Sequence, residues 1–139
     1  MKVLFADDSV LILDRLGELL CKYKQVEIVG ALKNGNDTLE ALLKLNPDLA
    51  IVDLNMPGLN GLEVIHEIRK VNKTLKIIVL TFFAIESYKN LAIREGADYF
   101  FSKAEEFDKV SLVVAEMLVS EKHKVLNWST SLSLTRICY

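Results

Sequence analysis

The sequence predicts an α/β fold: a five-stranded parallel sheet in the order 2-1-3-4-5 with helices on both faces. Three observations carry that expectation. Short apolar runs alternate with segments of helical period from the start of the chain to about residue 119, the pattern of strands joined by crossover helices. Runs such as Ala50-Ile51-Val52 and Ile77-Ile78-Val79-Leu80 lack polar alternation, as strands covered on both faces do. Five such units, joined by right-handed crossovers, leave few topologies, of which the doubly wound order 2-1-3-4-5 is the commonest.

The strand runs are Val3 to Ala6, Val26 to Leu32, Leu49 to Leu54, Leu75 to Thr81 and Tyr99 to Ser102. Between them, apolar residues recur three or four apart: Leu13, Leu16, Leu20; Leu39, Leu42, Leu43; Leu62, Ile65, Ile68; and Ile85, Tyr88, Ala92. Each set predicts an amphipathic helix. Phe107, Val110, Val114, Met117 and Leu118 predict the fifth, with the clearest stripe. The repeat places one domain over residues 1–119 and a C-terminal tail over 120–139, rich in Ser and Thr from Trp128 to Thr135 and expected to be flexible or an added remnant.

Composition narrows the function classes. The chain has 139 residues, 51% of them hydrophobic, and a net charge of -2 from 17 basic and 19 acidic side chains. That length suits one domain with a full core and leaves little room for a second folding unit, so a fused effector is not expected. The near balance of charge is not the basic footprint of a nucleic-acid binder, so the expected partners are proteins or small molecules. Cys21 and Cys138 make neither a disulfide framework nor a thiolate metal site, which fits a reducing, cytoplasmic setting. Asp7 and Asp8 interrupt the N-terminal apolar run before a signal peptide could form, and no apolar stretch reaches the roughly 20 residues that span a bilayer. No membrane partner is expected.

In doubly wound sheets chemistry sits at the carboxyl ends of the strands. Asp7-Asp8-Ser9 follows the first strand, Asp53 the third, Thr81 closes the fourth and Lys103 follows the fifth. Singly, each has an ordinary explanation: a helix N-cap, a strand threonine, a loop charge. Together, three carboxylates at one edge repel one another unless a cation sits among them, and Mg²⁺ suits so small an oxygen cluster. With Lys103 and the Thr81 hydroxyl added, the pocket can stabilise a phosphoryl group in transit, Asp53 being the nucleophile that forms an acyl phosphate.

These residues resemble the receiver domain of two-component response regulators, close to the single-domain chemotaxis type. The resemblance rests on Phe5-Ala6-Asp7-Asp8-Ser9, Asp53-Leu54-Asn55-Met56-Pro57-Gly58-Leu59-Asn60-Gly61, Leu80-Thr81, and Gly96-Ala97-Asp98 leading to Phe101-Ser102-Lys103. It implies a flavodoxin-like (βα)5 three-layer sandwich. It also implies that Asp53 accepts a phosphoryl group from a phosphohistidine on a histidine kinase or phosphotransfer protein. Asp8, Asp53 and the main-chain carbonyl of Asn55 would bind Mg²⁺, with Asp7 acting mostly through water, while Thr81 and Lys103 bind the phosphoryl oxygens. Thr81 and Phe100 would form the switch that remodels the face of helix four, strand five and helix five for a downstream effector or a second copy of the chain. A receiver fragment of a DNA-binding regulator is the alternative. An aspartyl-phosphate hydrolase is not expected, because such enzymes carry Asp-x-Asp after the first strand and Asp7-Asp8 are adjacent.

The departures from the family are specific. Phe82 stands where receivers usually have a small residue, which narrows the site, and Lys103 precedes Ala104 rather than the frequent proline. Phe100 replaces the commoner Tyr and has no hydroxyl to donate. His66 and His123 lack nearby metal-ligating partners in the sequence and are expected on solvated surfaces. Phe83, two residues past Thr81, offers an apolar ring that cannot orient a hydrolytic water, so slow loss of the phosphoryl group is expected. Phe83→Glu should shorten the phosphoryl lifetime measured by intact mass; an unchanged lifetime would refute this.

Overall fold

The structure is a computed structural model that describes residues 1–131, the side chains of 124–131 excepted. Strands and helices alternate: β1 (Lys2–Ala6), α1 (Val10–Leu20), β2 (Glu27–Leu32), α2 (Gly35–Leu45), β3 (Leu49–Val52), α3 (Gly61–Arg69), β4 (Lys76–Thr81), α4 (Glu86–Glu95), β5 (Tyr99–Ser102) and α5 (Lys109–Ser131). The strands form one parallel sheet in the order β2-β1-β3-β4-β5, the order expected from the sequence. Among the described residues no helix is long and apolar enough to cross a membrane.

Successive side chains of a strand point to opposite faces, so each central strand feeds two cores. Val3, Phe5, Leu49, Ile51, Ile78 and Leu80 pack with Ile12, Leu13, Leu16 and Leu20 of α1 and with Val110, Val113 and Val114 of α5. Leu4, Ala6, Ala50, Val52, Ile77 and Val79 face the other way, onto Leu42 of α2, Val64, Ile65 and Ile68 of α3 and Ala92 of α4. This two-sided burial explains the unbroken apolar runs of β3 and β4. Burying a side chain such as Leu16, 1% exposed, stabilises the fold by about 2 kcal/mol. The edge strand β2 is covered less and keeps Glu27 and Ile28 exposed.

The helix starts are specified locally. Ser9 Oγ accepts from Ile12 N–H at the start of α1, and Asn34 Oδ1 accepts from Asp37 N–H at the start of α2. α3 opens with a capping box: Asn60 Oδ1 accepts from Glu63 N–H at 2.9 Å, and Glu63 Oε1 accepts from Asn60 N–H at 3.0 Å. α4 is different. Its N-cap is Ile85, whose side chain makes no cap hydrogen bond, and of the stripe Ile85, Tyr88 and Ala92 only Ala92 is buried. At its other end Gly96 takes φ 120°, and Arg69 donates to the Gly96 carbonyl from Nε at 3.0 Å and Nη2 at 2.8 Å.

α5 continues through Ser131, so the boundary that the repeat places at residue 119 falls inside a continuous helix. The remainder of the expected tail, 132–139, lies outside the described residues. One glycine is needed to place the segment after β3: a Cβ on Gly61 would sit 2.3 Å from the Asp53 carbonyl oxygen and 2.8 Å from Leu54 Cα. Neither is a flexible side chain that can yield. Gly61→Ala should therefore lower the unfolding free energy by about 2 kcal/mol, an overpacking effect; a urea melt identical to that of the parent would disprove the close approach.

Candidate functional site

The ladder of the sheet continues one residue past the strands. Asp7 N–H donates to the Leu32 carbonyl, Asp53 N–H to the Ala6 carbonyl and Lys103 N–H to the Thr81 carbonyl, each at 2.9 Å. The backbone of three charged residues is thereby held as firmly as a strand, at the carboxyl edge where the chain turns into helices. The turn after β5 is tied down as well: Ser102 Oγ accepts from Ala104 N–H and Glu105 N–H, and Glu106 Oε1 accepts from Ser102 N–H. Lys103 leaves this turn with its side chain 3% exposed.

The Lys103 ammonium lies between two carboxylates, 2.5 Å from Asp7 Oδ2 and 3.1 Å from Asp53 Oδ2. Both acids are buried. Asp7 Oδ1 also accepts from Ser9 N–H at 2.9 Å. Burial pushes the Asp7 carboxyl above its ordinary value of 3.8, against the opposing pull of the Lys103 and Ser9 hydrogen bonds and of the Lys103 charge. Asp53 Oδ1 is buried and has no hydrogen-bond partner. A buried carboxylate oxygen left unpaired is costly unless a ligand completes it.

Ligand oxygens of Asp7, Asp8 and Asp53 all fall within 4.8 Å of one another, and Asp8 is the exposed member. A hard cation with oxygen ligands fits this donor set, and the orphaned Asp53 Oδ1 is the atom such a group would satisfy. All the acids and the lysine expected at the edge are thus brought together. Thr81 is fully buried at the end of β4, and its Oγ1 accepts from Phe83 N–H at 3.1 Å. Phe100 is buried on the α3–α4 side of the sheet.

The described chain contains no cis peptide bond, so Lys103-Ala104 is trans. Phe82 and Phe83 do not pack beneath α4: they are 64% and 50% exposed. Phe83 lines a cleft of about 230 Å³ together with Leu54, Asn55, Asn60, Leu62 and Tyr88. His66 Nδ1 meets Glu95 Oε2 at 2.7 Å and so links α3 to α4.

Two contributors escape the sequence reading. Asn36 Oδ1 accepts from Leu59 N–H at 3.0 Å, and Gly35 N–H donates to the Pro57 carbonyl at 3.0 Å, so the start of α2 props the loop that follows Asp53. The only local signal is an Asn-Gly-Asn cluster, which reads as a turn. Gly58, at φ 75°, gives that loop its left-handed step.

A family model for the response regulator receiver domain matches residues 3–115. The chain belongs to the response regulator receiver family. Among curated relatives, the receiver is 35% identical over 111 residues to the transcriptional regulatory protein YvfU of Bacillus subtilis, covering 80% of this chain and 56% of that protein. It is 35% identical over 103 residues to the transcriptional regulatory protein DesR of the same organism, covering 74% of this chain and 51% of that protein. The chain therefore spans about half the length of these curated relatives. Among solved structures it is similar to the response regulator domain of Thermotoga maritima CheB, with TM-score 0.75 and 27% identity over 86% of this chain and 94% of that one. A LuxR-family DNA-binding response regulator from Staphylococcus aureus gives TM-score 0.76 and 27% identity, covering 83% and 96%. These likenesses bear out the flavodoxin-like (βα)5 fold and the two-component assignment.

The raised Asp7 pKa has a testable sign. Between 3.8 and its folded value the folded receiver holds more protons at Asp7 than the unfolded chain, so this group's contribution to stability falls as pH rises through that window. Asp7→Asn removes the effect. In urea melts from about pH 4 to about pH 7 the parent should lose stability relative to Asp7→Asn; a constant difference between the two would refute the assignment.

Proposed function

We propose that Asp53 is the phosphoacceptor of this receiver and that the chain acts as a signalling switch rather than as an enzyme with a turned-over substrate. The observation that carries the reading is the buried Asp53 carboxylate, one oxygen paired with Lys103 and the other unpaired, in the cluster with Asp7 and Asp8. An Asp53 oxygen attacks the phosphorus of a phosphohistidine on a histidine kinase or phosphotransfer protein. The new P–O bond forms as the P–N bond breaks, and the imidazole leaves with that electron pair. The Lys103 ammonium then has a phosphoryl oxygen to balance in place of part of the carboxylate charge, and the Thr81 hydroxyl is the second donor at the strand ends.

Asp7, Asp8, Asp53 and the Asn55 main-chain carbonyl are the groups that would hold Mg²⁺. When bound, Mg²⁺ supplies positive charge against the oxygens of the group in transfer. Thr81 Oγ1 accepts from Phe83 N–H while its own O–H is left to donate to a phosphoryl oxygen, which links the site to the start of α4. Phe100 is the aromatic of β5 that responds, and the face of α4, β5 and α5 is the surface offered to a downstream effector or to a second copy of the chain. A cytoplasmic setting follows from the need to meet the kinase.

A second reading has an observation of its own. YvfU and DesR are transcriptional regulatory proteins, and this chain matches about half of each. On that reading residues 1–119 are the receiver of a DNA-binding regulator, and residues 120–139 belong to the connection leaving it. The receiver itself makes no direct nucleic-acid contact in either case.

The decisive experiment is incubation with acetyl phosphate and Mg²⁺, followed by intact mass. The parent should gain one phosphoryl group, Asp53→Asn should gain none, and chelation of Mg²⁺ should abolish the gain. A parent protein that stays unmodified would sink the phosphoacceptor reading.

A further inference from the structure

Phe82 has a contact that its exposure does not suggest. Its ring is 64% exposed, yet the Lys103 Nζ lies over the ring, 5.0 Å from its centroid. Lys103 itself is 4% exposed. A ring open to solvent on one side and facing a buried ammonium on the other stands between that ammonium and solvent. The segment is held in place from its neighbours, Thr81 within the sheet and Phe83 through the bond from its N–H to Thr81 Oγ1.

The donor count of the ammonium gives this contact a role. A lysine ammonium has three N–H groups and no acceptor. Asp7 Oδ2 and Asp53 Oδ2 take up two directions, and the Phe82 ring covers the ammonium as well through its negative face. An incoming phosphoryl oxygen needs a place on the same ammonium. Ring and phosphoryl group therefore compete for it.

Resting on the phosphoacceptor reading of Asp53, we infer that Phe82 is a gating residue: its ring must leave the Lys103 ammonium before a phosphoryl donor can seat its oxygens there. With acetyl phosphate as donor, the Asp53 oxygen forms the new P–O bond while the bond from phosphorus to the acyl oxygen breaks. Acetate leaves with the electron pair and no proton is transferred. The ring takes no part in the bond changes; it sets how often the ammonium is open to the donor. The side chain at position 82 thus discriminates among donors by the access it allows, a constraint that a small residue would not impose.

Two rates test this, each on the parent, Phe82→Ala and Phe82→Leu, with thermal melts to establish that the variants fold. One is the gain of a phosphoryl group from acetyl phosphate with Mg²⁺. The other is acetylation of Lys103 by an N-hydroxysuccinimide ester, read by peptide mass, which reports the cover over the ammonium without any phosphoryl chemistry. Phe82→Ala should raise both by about fivefold, the factor expected for one cation–π contact. Phe82→Leu, which keeps apolar bulk and drops the ring face, should fall between the two. Unchanged or slower Lys103 acetylation in Phe82→Ala overturns the gate, as does faster acetylation without faster phosphorylation. A Phe82→Leu variant matching the parent in both rates also overturns it, since the ring face is then irrelevant. Absence of phosphorylation in the parent and both variants would fail the phosphoacceptor reading instead, and the acetylation rates would still decide whether the ring covers Lys103.

Discussion

The site depends on one buried ammonium. Lys103 sits between Asp7 and Asp53 at the carboxyl edge of the sheet, where the two buried acids would otherwise face each other. Removing one partner of a buried ion pair typically costs 3–5 kcal/mol, roughly, because a charge is left without compensation. The lysine also divides the two oxygens of Asp53 into unlike states, one paired and one free. That asymmetry sets Asp53 apart from the other acids of the cluster.

The ammonium can hold this position because the backbone beneath it is not a loop in the usual sense. Asp7, Asp53 and Lys103 each donate to the carbonyl of a neighbouring strand, so the sheet's hydrogen bonding extends under the site. Gly61, which touches the Asp53 carbonyl, and Asn36, which holds Leu59 N–H, bring α3 and α2 against the same segment. Two helices of the same core therefore converge on a few backbone atoms beside the Asp53 carboxylate.

The architecture was legible in the sequence because central strands buried on two faces leave an unmistakable trace, as Ile77 to Leu80 do. The residues of the site were legible because they stand at strand ends, whose relative positions follow from strand order. What was not legible depends on contacts between distant segments. Nothing near Asp7 or Asp8 announces that the first is buried against Lys103 and the second exposed. Phe82 reads only as a large residue until the fold brings Lys103 to its ring. The stripe Ile85, Tyr88 and Ala92 predicted a helix correctly, but period reports that a face exists and not that anything covers it; only Ala92 is buried. The extent of α5 is not legible because a Ser/Thr-rich composition past residue 128 reads as tail, whereas the helix runs on to Ser131.

α4 is fastened unequally along its length. Arg69 grips the Gly96 carbonyl at its C-terminal end with two nitrogens, and His66 meets Glu95 one residue earlier. Its N-terminal end has no side-chain cap, and Phe83, Ile85 and Tyr88 there are largely open to solvent. Mechanically this is a cantilever, clamped far from the carboxylates and loose beside them. A beam so supported has its softest motion at the free tip, just past the point where Phe83 N–H bonds to Thr81 Oγ1.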